Sequence, residues 1–269
     1  MSTYIIAEAG SCGEGRRWQM HRLIDVAAEC GADAIKFQWT SDAQAIADRR
    51  RAPDYAEHYR QGLQWPEAWF DELSTHARDV GVDFMCTVYL VLDIAVVSHF
   101  VSAFKIASFE ARDAVFLRAH TRDEVGHRPI YLSTGMMTGE DASTVAATLN
   151  PTQDWRLLHC VSAYPAPRTQ LTIGVCREEW CWGVSDHSEK AQTHAGALAV
   201  AAGAHALEVH FCTGDEDPCN RDAQHARTPA DLRAYVQAVR AAEVACGAIK
   251  VVQPCESAMS EYRVGVSAS

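Results

Sequence analysis

The chain contains no apolar run approaching the roughly 20 residues needed to cross a bilayer. Its first ten residues also lack a basic stretch followed by an apolar one, so no secretory leader is read there. We therefore expect a soluble, cytoplasmic protein with no membrane partner. There is no Lys/Arg stripe: 24 basic residues face 35 acidic ones, for a formal net charge of −11. That excludes a nucleic-acid surface, which needs clustered cations to neutralise phosphates, and the short run Arg49–Arg50–Arg51 reads as a solvated loop. A small anionic ligand stays possible, because a few focused cations and backbone N–H groups suffice for it. The ten cysteines form no Cys-x-x-Cys pair; Cys30, Cys160 and Cys246 lie in apolar runs and read as buried, reduced thiols. No G-x-G-x-x-G fingerprint, linker or low-complexity segment is present.

What is present is a packed core. With 269 residues and a hydrophobic fraction of 48%, the chain suits one α/β barrel of about 250 residues, here placed at residues 1–250 with a tail over 251–269. Short apolar runs predict strands at 4–9, 34–38, 83–87, 103–107, 129–133, 155–160, 182–185 and 206–210. Helical spacing predicts helices at 18–30, 66–80, 113–120, 141–149, 190–202 and 232–246, with Gly31 and Gly81 as stops after the first two. Strands alternating with helices, and polar residues at the strand ends, point to a closed (β/α)8 barrel; an open doubly wound sheet is the alternative. The segments A-A-E-C-G-A-D-A-I-K-F and A-V-A-A-G-A-H-A-L-E-V-H-F echo one another as helix, turn and strand, which supports parallel βα units. Residues 42–64 are polar, carry Pro53 and exceed an ordinary connection, so they read as an insertion over the site, either a lid or a surface loop. The last residues, 257–269, read as loosely held.

Residues 183–211 hold the chemistry. His187 and His210 each follow a strand, and one helix separates the strands, so both imidazoles should lie at one end of two parallel neighbours. Two converging imidazoles can hold a divalent metal. Most histidines only hydrogen-bond or face solvent, but Ser185, Asp186 and Glu208 put further polar groups beside this pair. Cys212 and Cys219 lie close enough in sequence to be considered as further ligands. Lys36 and Lys105 sit within apolar strands, where a cation needs a counter-charge. A bound di- or trianion supplies one; pairing with an interior carboxylate such as Glu8 or Glu208 accounts equally for one of them. Thr87, Ser108, Ser133, Thr134, Ser162 and Ser185 end other strands and can donate to phosphate or carboxylate oxygens.

The segments I-A-E-A-G, G-A-D-A-I-K-F-Q, F-K-I-A-S-F-E, L-S-T-G-M-M, L-L-H-C-V-S-A-Y-P, G-V-S-D-H-S and G-A-H-A-L-E-V-H-F occur in the order and spacing of the sialic acid synthase family. The resemblance runs from Tyr4 to Leu232. It implies a TIM barrel that condenses phosphoenolpyruvate with the open-chain aldehyde of an amino sugar, using Mn2+ or Mg2+. Carried over position by position, it implies that His187 and His210 bind the metal. Lys36, Thr87, Lys105, Ser108, Ser133, Ser162 and Ser185 would hold phosphoenolpyruvate, and Glu8, Gln38, Glu110, Tyr164 and Asp222 would face the acceptor. In that chemistry Glu8 or Asp222 is the carboxylate that handles water, while Lys36 and Lys105 stabilise the departing phosphate.

Three departures fall on the acceptor side. Cys12 and Gly13 stand where the family usually has Asn-His, and Ala223 and Ala226 stand where His and Ser are usual, although Asp222 and Pro229 are kept. The chain also stops short of the antifreeze-like domain that family members commonly carry. An acceptor other than N-acetylmannosamine is therefore expected, with a homodimer or a separate partner domain in place of the missing segment. A metal-dependent aldolase or phosphatase barrel is the competing enzyme class, and a barrel that merely binds a phosphorylated ligand is the non-enzymatic one.

Overall fold

The computed structural model describes residues 2–247, 251–262 and 264. Eight strands, β1 (Tyr4–Gly10), β2 (Ala34–Gln38), β3 (Asp83–Thr87), β4 (Ala103–Ile106), β5 (Ile130–Ser133), β6 (Trp155–Cys160), β7 (Gly183–Asp186) and β8 (Ala206–His210), close into a barrel in sequence order. All pairings are parallel, and β1 joins β8 to remove the last edge. The expected strands are all found, with ends moved by a residue or two.

Alternation along the strands makes two environments. Outward residues such as Ile5, Ile35, Phe37, Phe84, Phe104, Leu132 and Leu207 join the main apolar cluster beneath the helices. Inward residues Ile6, Ala34, Met85, Ala103, Tyr131, Leu158 and Ala206 form a separate apolar plug, with Tyr4 below it. Small residues are required there: a Cβ on Gly183 would come within 2.0 Å of the Ala206 carbonyl. Two residues further along each strand the same inward face turns polar, with Glu8, Lys36, Thr87, Lys105, Ser133, Ser185, Glu208 and His210 all buried. The plug thus closes one end and the polar layer opens at the C-terminal mouth.

The outer helices are α1 (Arg17–Cys30), α4 (Trp69–Asp79), α5 (Val91–Ser98), α6 (Ala114–Ala119), α7 (Gly139–Thr148), α8 (His194–Ala202) and α9 (Pro229–Ala245), while α2 (Ala43–Arg49) and α3 (Ala56–Gly62) lie in the β2 to α4 connection. Local chemistry sets their ends: Gly31 takes the left-handed conformation after α1, and Thr138–Asp141 and Thr228–Asp231 make reciprocal capping boxes on α7 and α9. The short helix α5 is absent from the periodicity reading. After β6 two 3-10 turns, Arg168–Gln170 and Ile173–Arg177, occupy the outer layer in place of a helix.

Residues 42–64 are neither an irregular loop nor a bare flap. Asp42 caps α2 by accepting from the Gln44 and Ala45 amides, and α2 and α3 share a small core of Ala43, Ile46, Ala47, Ala56, Tyr59 and Leu63 with Tyr89 and Leu90 of the barrel rim. The barrel ends with α9 at Ala245. The expected boundary at residue 250 lies outside the described residues, as do 263 and 265–269 of the tail; Pro254–Tyr262 form a 3-10 run. Cys30 and Cys160 are buried as expected, but Cys246 is exposed because it follows the end of α9.

Candidate active site

Strand register builds the floor of the mouth. Glu8 lies opposite both Lys36 and His210, Thr87 opposite Lys105, and Ser185 opposite Glu208. Lys36 Nζ sits 2.5 Å from Glu8 Oε2 and 3.1 Å from Glu208 Oε1, and it donates to Thr87 Oγ1 at 2.9 Å. The interior-carboxylate explanation therefore accounts for Lys36. Burial alone would discharge this lysine, but the two carboxylates outweigh it and raise its pKa. Burial also favours neutral Glu208, yet Lys105 and Lys36 prevail and hold its carboxyl well below the usual range. Glu8 moves the other way, raised by burial against the pull of Lys36. Its Oε1 accepts from Gln38 Nε2 at 2.5 Å, and Tyr89 donates to Gln38 Oε1.

Lys105 is less well compensated. Its Nζ is 3.5 Å from Glu208 Oε2 and donates to the Ile106 carbonyl at 3.0 Å. Burial pushes its pKa down, and the nearby Lys36 cation adds to that. The C-terminal ends of β4, β5 and β6 bring further hydroxyls to the same end of the barrel. Ser108 Oγ accepts from the Gly135 amide at 3.1 Å, and the Ser133 hydroxyl is buried without a hydrogen-bond partner. Gly135 is required here, since a Cβ would fall 2.1 Å from Ser162 Oγ and 2.6 Å from Ser108 Oγ. Hydroxyls at the same barrel end as an under-compensated cation suit an anion.

The two imidazoles meet beside this cradle, with Cys160 Sγ 3.6 Å from His187 Nδ1. The His187 and His210 ring centroids are 5.4 Å apart, and Tyr164 lies against both, at 4.2 and 5.6 Å. His187 Nδ1 hydrogen-bonds the Val161 carbonyl at 2.8 Å, which fixes the ring and turns Nε2 towards Ser185 Oγ at 3.4 Å. Burial opposes a charge on His187, but the adjacent Cys160 outweighs it and raises its pKa; the same contact lowers the Cys160 thiol against its own burial. Burial lowers the His210 pKa well below the ordinary imidazole value, and its neighbours His187 and His225 add to that. His210 Nδ1 is buried without a partner. Among the described residues, no group of three or more His, Cys, Asp and Glu side chains forms a complete metal cage. An imidazole with an orphaned nitrogen beside a second, oriented one still fits a divalent ion, provided solvent and substrate complete its shell.

Asp222 closes the far wall. Its Oδ2 accepts from the Ser11 amide at 2.7 Å and lies where a Cβ on Gly10 would come within 2.6 Å. Burial works against its charge, but His210 and the Ser11 hydrogen bond keep it ionised. Other expected residues face elsewhere. Glu110 is buried, but Arg50 clasps both its oxygens, at 2.8 and 2.9 Å, so it is joined to α2 rather than left open to the mouth. Thr134 donates to the Leu158 carbonyl within the sheet, at 3.1 Å. Asp186 points outward to Arg227 at 3.2 Å. Cys212 is buried against the Arg227 backbone, and Cys219 is exposed.

The Arg49–Arg51 run is corrected by the same contacts. Arg50 is not a solvated charge: it stacks on Tyr89 and Phe109 at 4.6 and 4.7 Å, and Arg49 pairs with Asp113 at 2.7 Å. Tyr89, Arg227 and His225 are site residues that the sequence did not point to, and Cys160, expected as a buried thiol, also touches His187. Only His225 left a signal, three residues beyond Asp222 on the segment that follows β8.

The described residues include no helix long and apolar enough to cross a membrane. The NeuB family profile matches residues 23–251. The spore coat polysaccharide biosynthesis protein SpsE of Bacillus subtilis is 32% identical over 89% of this chain and 67% of its own length. The pseudaminic acid synthase of Campylobacter jejuni is 30% identical over 91% and 75%. The crystal structure of SpsE superposes with a TM-score of 0.75 at 31% identity, covering 94% of this chain and 72% of that one. An N-acetylneuraminic acid synthetase from Leptospira borgpetersenii, in complex with citrate, shares the barrel with a TM-score of 0.84 at 24% identity, over 99% and 93%. A profile that spans most of the barrel, together with 32% identity to a relative of which it covers 67%, establishes that this chain belongs to the NeuB family.

Proposed function

We propose that this protein condenses phosphoenolpyruvate with an aldehyde, an open-chain amino sugar or a related aldose, to give a 2-keto-3-deoxy sugar acid and phosphate. The observation that carries the reading is the juxtaposition in one mouth of an anion cradle around Lys105 and the His187–His210 pair. The synthase names of relatives such as the pseudaminic acid synthase and the human N-acetylneuraminate-9-phosphate synthase support it.

Lys105, Ser108, Ser133 and Ser162 bind the phosphate and carboxylate of phosphoenolpyruvate, with Ser185 and Thr87 completing the floor and the Gly135 amide holding Ser108 Oγ in place. Lys36, already held between Glu8 and Glu208, fixes both carboxylates and adds positive potential. His187 and His210 would hold Mn2+ or Mg2+, which supplies Lewis-acid polarisation of the aldehyde when bound. Carbon 3 of phosphoenolpyruvate bonds to the aldehyde carbon, whose oxygen becomes a hydroxyl. Water adds its oxygen to carbon 2, and loss of phosphate leaves the ketone. Glu8 is our base for that water: burial raises its pKa towards neutrality, and Lys36 Nζ, 2.5 Å from its Oε2, holds the carboxylate in place. Asp222, Gln38 and Tyr164 line the acceptor side, and Glu110 supports that side through Arg50.

The test is phosphate release from phosphoenolpyruvate with Mn2+ against a panel of aldoses and other aldehydes, with mass spectrometry of the products. Release that depends on the acceptor, with a product heavier by one pyruvate unit, is expected. Release without any acceptor would replace this reading with a phosphatase, and failure to bind phosphoenolpyruvate would end it.

A further inference from the structure

Three imidazoles, not two, surround Tyr164. The His225 ring lies 4.8 Å from Tyr164 and 5.3 Å from His210, centroid to centroid. It is presented by a tightly bonded turn. Asn220 Oδ1 accepts from the Asp222 and Ala223 amides at 3.0 and 3.2 Å, and the Asp222 carbonyl accepts from the His225 and Ala226 amides at 3.2 and 3.0 Å. The turn is anchored at both ends, by the Ser11 amide on Asp222 and by the Phe211–Arg227 bridge beside β8. Within it the ring's backbone partner is Arg221, while Nε2 is buried with no hydrogen-bond partner. Asp222 Oδ1, at 4.0 Å, is too far to supply one.

A buried ring nitrogen without a partner costs stability unless a ligand satisfies it. With the ring proton directed to the Arg221 backbone, Nε2 offers a lone pair, so its complement is a donor. The Asp222 carboxylate beside it disfavours an anion. This wall therefore differs in kind from the Lys105 cradle, and it fits a neutral, hydroxyl-bearing molecule. We propose that His225 determines acceptor specificity, its Nε2 accepting a hydrogen bond from one hydroxyl of the aldehyde substrate. The proposal rests on the condensation reading above.

The experiment uses the full chain with Mn2+ and phosphoenolpyruvate, an aldose active with the wild type, and the monodeoxy analogues of that aldose. Wild type, His225→Ala and His225→Gln are compared after thermal melts confirm that each is folded. His225→Ala should lower kcat/KM for the parent aldose by about 10- to 100-fold, mainly through the acceptor KM. One deoxy analogue, poor with the wild type, should be unaffected by the substitution. The KM for phosphoenolpyruvate and the affinity for Mn2+ should stay within about twofold, and His225→Gln, whose amide oxygen can accept, should recover part of the loss. An equal loss on every analogue, unchanged acceptor kinetics, or weakened Mn2+ binding would each overturn the assignment. A wild type that releases no phosphate with any acceptor would bring down the condensation reading and this proposal together; an active wild type with indifferent His225 variants would bring down this proposal alone.

Discussion

Lys36 and Lys105 look equivalent as residues, each a lysine inside a strand, but their surroundings assign them different work. Lys36 is wedged between Glu8 and Glu208, so Lys36→Met would leave two buried carboxylates facing each other. A loss of about 3–5 kcal/mol in unfolding free energy is expected, together with activity. Lys105→Met leaves Glu208 its Lys36 partner. That variant should melt close to the wild type and bind phosphoenolpyruvate about 10- to 100-fold more weakly by calorimetry. The reverse pattern would mean that the anion sits on Lys36. His120 makes a second residue-scale case, fully buried between Phe104 and Phe116 with its Nδ1 on the Phe116 carbonyl at 2.9 Å. Burial lowers its pKa from 6.5 to about 4. The folded state thus refuses a proton that the unfolded chain accepts. The stability this histidine permits is whole above pH 6.5 and is lost as pH falls towards 4. Between pH 7 and pH 5 that amounts to about 2 kcal/mol. By denaturant titration, the loss of unfolding free energy from pH 7 to pH 5 should be larger for wild type than for His120→Leu by this amount.

At the scale of elements, the α2–α3 excursion is fastened to the rim by Arg50 on Glu110, and Glu110 is only 3% exposed. Burial raises the Glu110 carboxyl despite Arg50, so removing Arg50 leaves a carboxyl that is costly to ionise. Arg50→Ala should lower stability by about 3 kcal/mol near neutral pH, and Arg50→Ala with Glu110→Gln should recover much of it. Thermal melts of both variants at pH 7 check this. The loop after β5 obeys a steric rule instead. Gly135→Ala places a methyl between Ser108 and Ser162, so phosphoenolpyruvate affinity should fall at least about tenfold while far-UV circular dichroism is unchanged, the loop being outside the barrel core. Element positions were legible because strands of period two and helices of period near four leave marks in the apolar pattern. The excursion was legible only as a length anomaly. Its helices are short, and their core forms against Tyr89 and Leu90, some 30 residues away in the chain.

For the molecule as a whole, the two sides of the barrel wall are separate in energy and purpose. The outer cluster under the helices and the inner apolar plug involve none of the mouth residues, so fold and site can be separated experimentally. Chelation should abolish turnover without unfolding the chain. Metal at about a hundredfold its Kd should add only about 2.7 kcal/mol, read as a modest rise in Tm. Loss of the folded signal on chelation would show instead that the ion holds the barrel together. The sequence by itself determined eight strands alternating with helices, the polar end of those strands, and the pairing of His187 with His210, because strand order places residues without reference to distant contacts, whereas closure into a barrel rather than an open sheet rests on β1 pairing with β8. Only the tertiary structure decided which charges cancel: Lys36 with Glu8 and Glu208, Glu110 with Arg50, Asp186 with Arg227. It also brought His225 to the mouth, on a turn whose course depends on Ser11 and Asn220. Electrostatic partnership depends on side-chain reach and shared burial across neighbouring strands and loops, and those distances are set when the barrel closes.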